Sequence, residues 1–460
     1  MLIRDWAATL PTPEFPDKRR LWSSVPAEAS APLIAAGYLR GDERKFLIVT
    51  SGYDAALQWE ARLALVGVPP GALHHLPSAQ SALYDDGPPE INALSARAAA
   101  LAALLADDAC VVIASPQSVL ERTLPPNEFA AAIISLKLED EVDITEVTRR
   151  LAALGYENEE PVRRPGTFSR RGGILDIFPV GSDFPYRVEF FGDFVESIRT
   201  FDPETQRSLA PAKTLNLAPV RPVSPTHLSG ATDKIKARLK SDPSLNNEEL
   251  AERIAEDIAA IEAGLFFDRL ELYVPFADEE KACALDYLAK GLLILDEPIE
   301  LEAAAKQAEE DLVTALTNRN RRGEVLSPIG LSYQLPVETL GDGKRMLAIS
   351  ALGGKPDWLK ISEIDDLQIS SLAPYRGRAE ALAQSIVNWR TAGMQIVLTT
   401  DQPTRARQVL SQIDVPILEG LPETPGPEGP LAMLHGNLAG GFAWTEQKLV
   451  VLTDAELFGV

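Results

Sequence analysis

Apolar residues follow two different rhythms along this chain. Residues 46–50 (Phe-Leu-Ile-Val-Thr) and 110–114 (Cys-Val-Val-Ile-Ala) are short, nearly continuous apolar runs, as expected for strands buried on both faces of a parallel sheet. Between them, helical patterns cover 55–66 and the alanine-rich 91–105. Residues 174–199 read instead as a β-meander. The run 174–178 ends at Pro179, Gly181-Ser182-Asp183 turns the chain, 186–191 forms the next strand, and Gly192-Asp193 turns it again into 195–199. A helix over 143–154 introduces this meander. Side chains of a strand alternate between its faces, so Val188 and Phe190 share one side while Arg187, Glu189 and Phe191 share the other. Arginine and large aromatics on a wet strand face are the residue types that anchor protein interfaces. The plainer alternative is an amphipathic strand covered by another element.

The proline-rich stretch 219–225 leaves the meander as a connector. Leu250, Ile254, Ile258 and Ile261 then fall at helical spacing within 246–264, with Asn246 and Gly264 as caps. A charged helix and a Gly-Pro loop occupy 300–335. Beyond them, helix 378–391, strand 395–400, helix 402–413 and strand 448–453 again read as α/β. The expected fold class is therefore a multidomain α/β protein, with a β-rich α+β segment at 126–212, flanking segments at 1–125 and 213–335, and a small α/β domain at 336–460. The chain stops directly after a strand, which reads as a piece of a longer protein.

The net charge of −23, from 44 basic and 67 acidic residues, argues against general adhesion to nucleic acid. Residues 161–210 depart from this balance, with seven arginines against seven acids, four of the arginines lying between 163 and 171. Guanidinium forks suit carboxylates as well as phosphates, so an acidic protein surface is as good a target as DNA. Cys110 and Cys283 have neither CxxC nor Cys/His company, and the four histidines are scattered, so no disulfide framework or metal site is expected. No apolar run approaches the roughly 18 residues that span a bilayer, and no signal-peptide pattern opens the chain, so no membrane contact and a cytoplasmic location are expected.

A phosphate-cradling loop needs glycines for close backbone approach, a lysine for the β/γ-phosphates and a hydroxyl for Mg²⁺. GxxxxGK[ST] occurs nowhere, and Gly341-Asp342-Gly343-Lys344 and Gly353-Gly354-Lys355-Pro356 have the wrong spacing or a helix-blocking proline. The run Leu292-Leu293-Ile294-Leu295 ending in Asp296-Glu297 imitates the Mg²⁺-holding strand of motor ATPases, but without a phosphate loop it reads as a capped strand end. GxSxG, HExxH and a Cys/His dyad are also missing.

The stretch Arg170-Arg171-Gly172-Gly173-Ile174-Leu175-Asp176-Ile177-Phe178-Pro179, followed by the sequence from Tyr186 to Ser208, closely resembles the module shared by the excision-repair protein UvrB and the bacterial transcription-repair coupling factors (the Mfd family). Its Phe201-to-Ser208 end leans towards the coupling factors. The resemblance is strong over 165–210, moderate at several other places, and elsewhere rests on the order of elements. It implies a degenerate UvrB-like, helicase-like α/β domain split into 1–125 and 213–335, with an inserted UvrA-binding domain at 126–212 and a small α/β domain at 336–460. The family's phosphate loop corresponds to 23–32, which has no glycine and no lysine and carries Glu28. The implied chain is no enzyme and holds no cofactor, ATP and Mg²⁺ belonging to a motor outside it. Its implied role is to recruit UvrA to stalled RNA polymerase during transcription-coupled nucleotide excision repair, with polymerase and DNA held by other domains. The family's UvrA contacts carry over onto Arg171, Arg187 and Phe191, with Arg170 and Glu189 as possible periphery. The family also implies masking of this surface by a C-terminal domain in the resting protein. The alternative reading is a nucleic-acid-binding module of a UvrB-like repair helicase subunit, using the arginine cluster and aromatics.

Overall fold

The computed structural model describes residues 3–458 except 86–89, 222, 242–247, 278–281, 344, 376–377, 412–415 and 422–429. It is an α/β assembly built on three main sheets. The first has seven strands in the order Glu363–Asp366, Arg19–Ser23, Met346–Ser350, Leu292–Asp296, Lys45–Val49, Cys110–Ala114 and Leu73–Leu76, all paired in parallel. Parallel strands need crossovers, and these bring helices onto both faces. The pleat then divides each apolar run between two cores: Leu47, Val49, Leu293 and Leu295 pack into one, and Phe46, Ile48, Leu292 and Ile294 into the other.

This sheet takes strands from beyond residue 335. The sequence reading ended the first domain at 335, yet Met346–Ser350 lies inside the sheet, between Arg19–Ser23 and Leu292–Asp296, and Glu363–Asp366 forms its edge. Leu292–Asp296, the helix Pro298–Arg321 and Met346–Ser350 make one strand–helix–strand unit, whose second strand takes the neighbouring place in the sheet. A second sheet follows Asp366. Its six strands run Ile369–Ser371, Phe442–Trp444, Leu449–Leu452, Gln395–Thr400, Leu431–His435 and Ile417–Glu419, parallel except at the Ile369–Ser371 side.

The remaining six-stranded sheet holds the meander: Ser208–Pro211, Phe194–Phe201, Tyr186–Phe191, Ile174–Phe178, Thr167–Arg171 and Glu157–Asn158. Asp143 caps the helix Ile144–Ala153 by accepting from the Thr145 N–H at 2.7 Å. Ile144, Val147 and Leu151 of that helix join Leu175, Ile177, Val188 and Phe190 in one core. Thr214–Leu217 pairs antiparallel with Ile134–Lys137, so the β-rich unit closes beyond the 212 boundary drawn from sequence. The helix Glu248–Glu262 buries Leu250, Ile254, Ile258 and Ile261, and Gly264 takes the left-handed conformation at its end, while Asn246 lies outside the described residues. Among the described residues no helix is long and apolar enough to cross a membrane.

Candidate functional site

Tyr186–Phe191 lies in the middle of its sheet, between Phe194–Phe201 and Ile174–Phe178. Its pleat sends Val188 and Phe190 into the core and leaves Phe191 78% exposed on the other face, with Arg187 and Glu189 half-buried beside it. Register then places Asp176 directly across from Arg187, and Ser169 across from Asp176. Asp176 is only 2% exposed, and three charge-assisted hydrogen bonds satisfy it. Its Oδ1 accepts from Arg187 Nε at 2.7 Å and its Oδ2 from Arg187 Nη2 at 2.8 Å, while Arg171 Nη2 donates to the same Oδ2 at 2.7 Å. The Arg187 guanidinium also lies over the buried Phe201 ring, 4.7 Å from its centroid. Donating to the Asp176 carboxylate raises the Arg187 pKa beyond its ordinary value, so the fork stays charged.

The two arginines differ in what they leave free. Arg187 is largely enclosed by Asp176 and Phe201. Arg171 is half exposed, and its Nη1 lies 3.8 Å from Glu160, beyond hydrogen-bond range. Glu189 accepts from Ser197 Oγ at 2.8 Å and pairs with Arg199. Beneath this surface Phe178, Phe201 and Val162 form a small separate core.

Arg171, Arg187, Glu189 and Phe191 thus come together on one face. Arg170 does not, because it stands opposite Leu175 on the helix-covered side, where its Nη1 donates to Thr145 Oγ1 at 3.0 Å. Adjacent strand residues point to opposite faces, and this separates it from the neighbour with which the sequence reading grouped it. That reading also passed over Asp176 and the strand Thr167–Arg171. Gly172-Gly173 was the available signal, a two-residue hairpin loop between Arg171 and Ile174, which pair across it. Gly172 has φ +60° and an open surround, which asparagine tolerates. A Cβ on Gly173 would lie 2.8 Å from the Phe190 carbonyl oxygen. Gly173→Ala is therefore expected to lower stability by about 1–3 kcal/mol through forced backbone movement, and Gly172→Asn by much less. Urea unfolding of both variants checks this contrast.

The C-terminal ends of the first sheet's strands, where open α/β sheets usually bind ligands, offer a second place to look. After Arg19–Ser23 the chain turns through Ser24 and Pro26 into the helix Ala27–Arg40. Asp296 Oδ2 accepts from the Trp59 indole N–H at 2.7 Å, and the Glu297 carboxylate accepts from Ser350 Oγ at 3.0 Å and the Ala351 N–H at 2.7 Å. Both acids are thus engaged in joining neighbouring segments. Burial pushes Asp296 up to about 6, against the Trp59 bond that lowers it. The folded state then holds this proton more tightly than the unfolded chain, whose ordinary Asp value is about 3.9. The stabilisation is full below about pH 4 and is lost as pH rises through 6. Relative to Asp296→Asn, the wild type is expected to lose up to about 3 kcal/mol between pH 4 and pH 7.5, less to the extent that water reaches the strand end. Urea unfolding of both proteins across that range reads the difference. Among the described residues no group of His, Cys, Asp and Glu is arranged to hold a metal ion.

Residues 134–222, which contain the whole outer-face cluster, match the UvrB interaction domain family. Over most of its length the chain is similar to proteins named transcription-repair-coupling factor. It is 27% identical to that of Bacillus subtilis over 75% of this chain and 30% of the relative, and 27% identical to that of Myxococcus xanthus over 84% and 34%. For Staphylococcus aureus strain MRSA252 the identity is 24% over 96% of this chain and 38% of the relative.

The chain is a homologue of the transcription-repair-coupling factors. It spans about a third of the length of these relatives. The matched domain ends at 222, past the Thr214–Leu217 strand, in keeping with the boundary that strand pairing draws.

Proposed function

We propose that this coupling-factor homologue recruits UvrA in transcription-coupled nucleotide excision repair, through the outer face of its six-stranded sheet. The observation that carries this reading is Arg171 and Arg187 gathered on Asp176 beside the exposed Phe191, within the part that matches the UvrB interaction domain. An exposed phenyl on a central strand supplies an apolar anchor, and the half-exposed Arg171 supplies donors for a partner carboxylate. Because Asp176 already fixes the guanidiniums, little ordering remains to be done on binding.

In this reading the first sheet is a UvrB-like, helicase-like domain that has lost its nucleotide site, and the 134–217 unit is inserted into it between Cys110–Ala114 and Leu292–Asp296. The absence of glycine and lysine from 23–32 and the engagement of Asp296 and Glu297 support that loss. The chain then has no ATPase of its own and works in the cytoplasm. ATP-driven translocation and contacts with RNA polymerase and DNA reside in parts of the longer relatives outside the matched third, and a C-terminal domain there masks the UvrA surface at rest.

The test is calorimetric titration of purified UvrA into this chain, beside a titration of single-stranded DNA at several salt concentrations. Saturable heat with UvrA supports recruitment. Silence with UvrA, together with steeply salt-dependent DNA binding, would sink it in favour of the nucleic-acid module.

A further inference from the structure

The hairpin between Tyr186–Phe191 and Phe194–Phe201 ends in the two-residue loop Gly192-Asp193, with Phe191 and Phe194 directly opposite each other. Directly opposed side chains rise from the same face of a sheet, with Cβ atoms about 5 Å apart. Phe194 therefore stands beside Phe191, and it is 52% exposed. An exposed phenyl forgoes about 1.5–3 kcal/mol that burial would return. Single exposed apolar side chains are common; two opposed rings at a hairpin tip beside an arginine cluster are a larger feature.

The backbone beneath these rings is held on two sides. From the 139–142 segment, Glu139 N–H donates to the Val195 carbonyl at 2.9 Å and Val142 N–H to that of Asp193 at 2.7 Å, while Val195 N–H donates to the Asp140 carbonyl at 2.9 Å. From the other side, Phe190 N–H donates to the Gly173 carbonyl at 2.7 Å. The tip is thus presented rigidly, and a rigid aromatic costs little to order on binding.

We propose that Phe194 is a second aromatic anchor of the UvrA surface, and that it enters one apolar cleft of the partner together with Phe191. This rests on the recruitment reading above and extends it. The partner it fits is a cleft wide enough for two phenyl rings, with a carboxylate on the side that meets Arg171. Phe194 contributes binding area and Arg171 charge, so the two are separable.

Calorimetry of UvrA with wild type, Phe191→Ala, Phe194→Ala, the double variant and Arg171→Ala tests this, with circular dichroism and urea unfolding confirming that each variant folds. Phe194→Ala is expected to weaken binding about tenfold, and the double variant to lose less than the product of the two single losses. A loss under threefold for Phe194→Ala while Arg171→Ala binds at least tenfold more weakly would overturn this proposal and leave recruitment standing. Strictly multiplicative losses would overturn the shared cleft. No binding by wild type would sink recruitment and this proposal together.

Discussion

Asp176→Ala is expected to destabilise the meander by about 3–5 kcal/mol, the range for removing one partner of a buried ion pair. The carboxylate is nearly inaccessible and receives three hydrogen bonds from two guanidiniums. Without it Arg187 remains charged and largely enclosed over Phe201, keeping only a 3.4 Å contact to Gln206 Oε1. Arg171, being half exposed, can turn to water. The loss should therefore fall mainly on the Arg187 side and appear as faster amide exchange in Ile174–Phe178 and Tyr186–Phe191. Stability unchanged within 1 kcal/mol would mean that the pair contributes nothing net. Asp176→Asn should lie between, since an amide keeps the shape and one acceptor but loses the charge.

The second large effect is on binding. Arg187→Ala/Phe191→Ala is expected to weaken UvrA binding by about a thousandfold, from about 2 kcal/mol for each anchor. The two halves of that loss differ physically. Phe191 is 78% exposed and contributes little to the core, so Phe191→Ala alone should cost about thirtyfold in affinity and leave the unfolding midpoint in place. Arg187 supports both the face and the fold, so Arg187→Ala should lower stability as well. Affinity within threefold of wild type for a folded double variant would remove this surface from the contact. Midpoint and affinity measured on the same samples keep the two effects apart.

How much of this was legible beforehand depended on the range of the interaction concerned. The pleat of a strand is local, so the sequence alone put Arg187, Glu189 and Phe191 on one side and Val188 and Phe190 on the other, and the structure agrees. Helical periodicity is equally local, and 91–105 was readable to its ends. The lack of a phosphate loop is likewise a property of residue types at fixed spacing.

Strand pairing is not local. Nothing in the period of either run states that Asp176 stands across from Arg187 rather than one residue away, and a slip of one would put the acid on the other face. The same ignorance of pairing hid Met346–Ser350, four apolar residues and a serine whose interior place in the first sheet depends on partners at Arg19–Ser23 and Leu292–Asp296. The residue types and face of the candidate site were thus written in the chain, while the buried carboxylate that orients its arginines was chosen by register. Hydrophobic period records only which side chains turn inward, whereas register is settled when distant strands meet and bury them together.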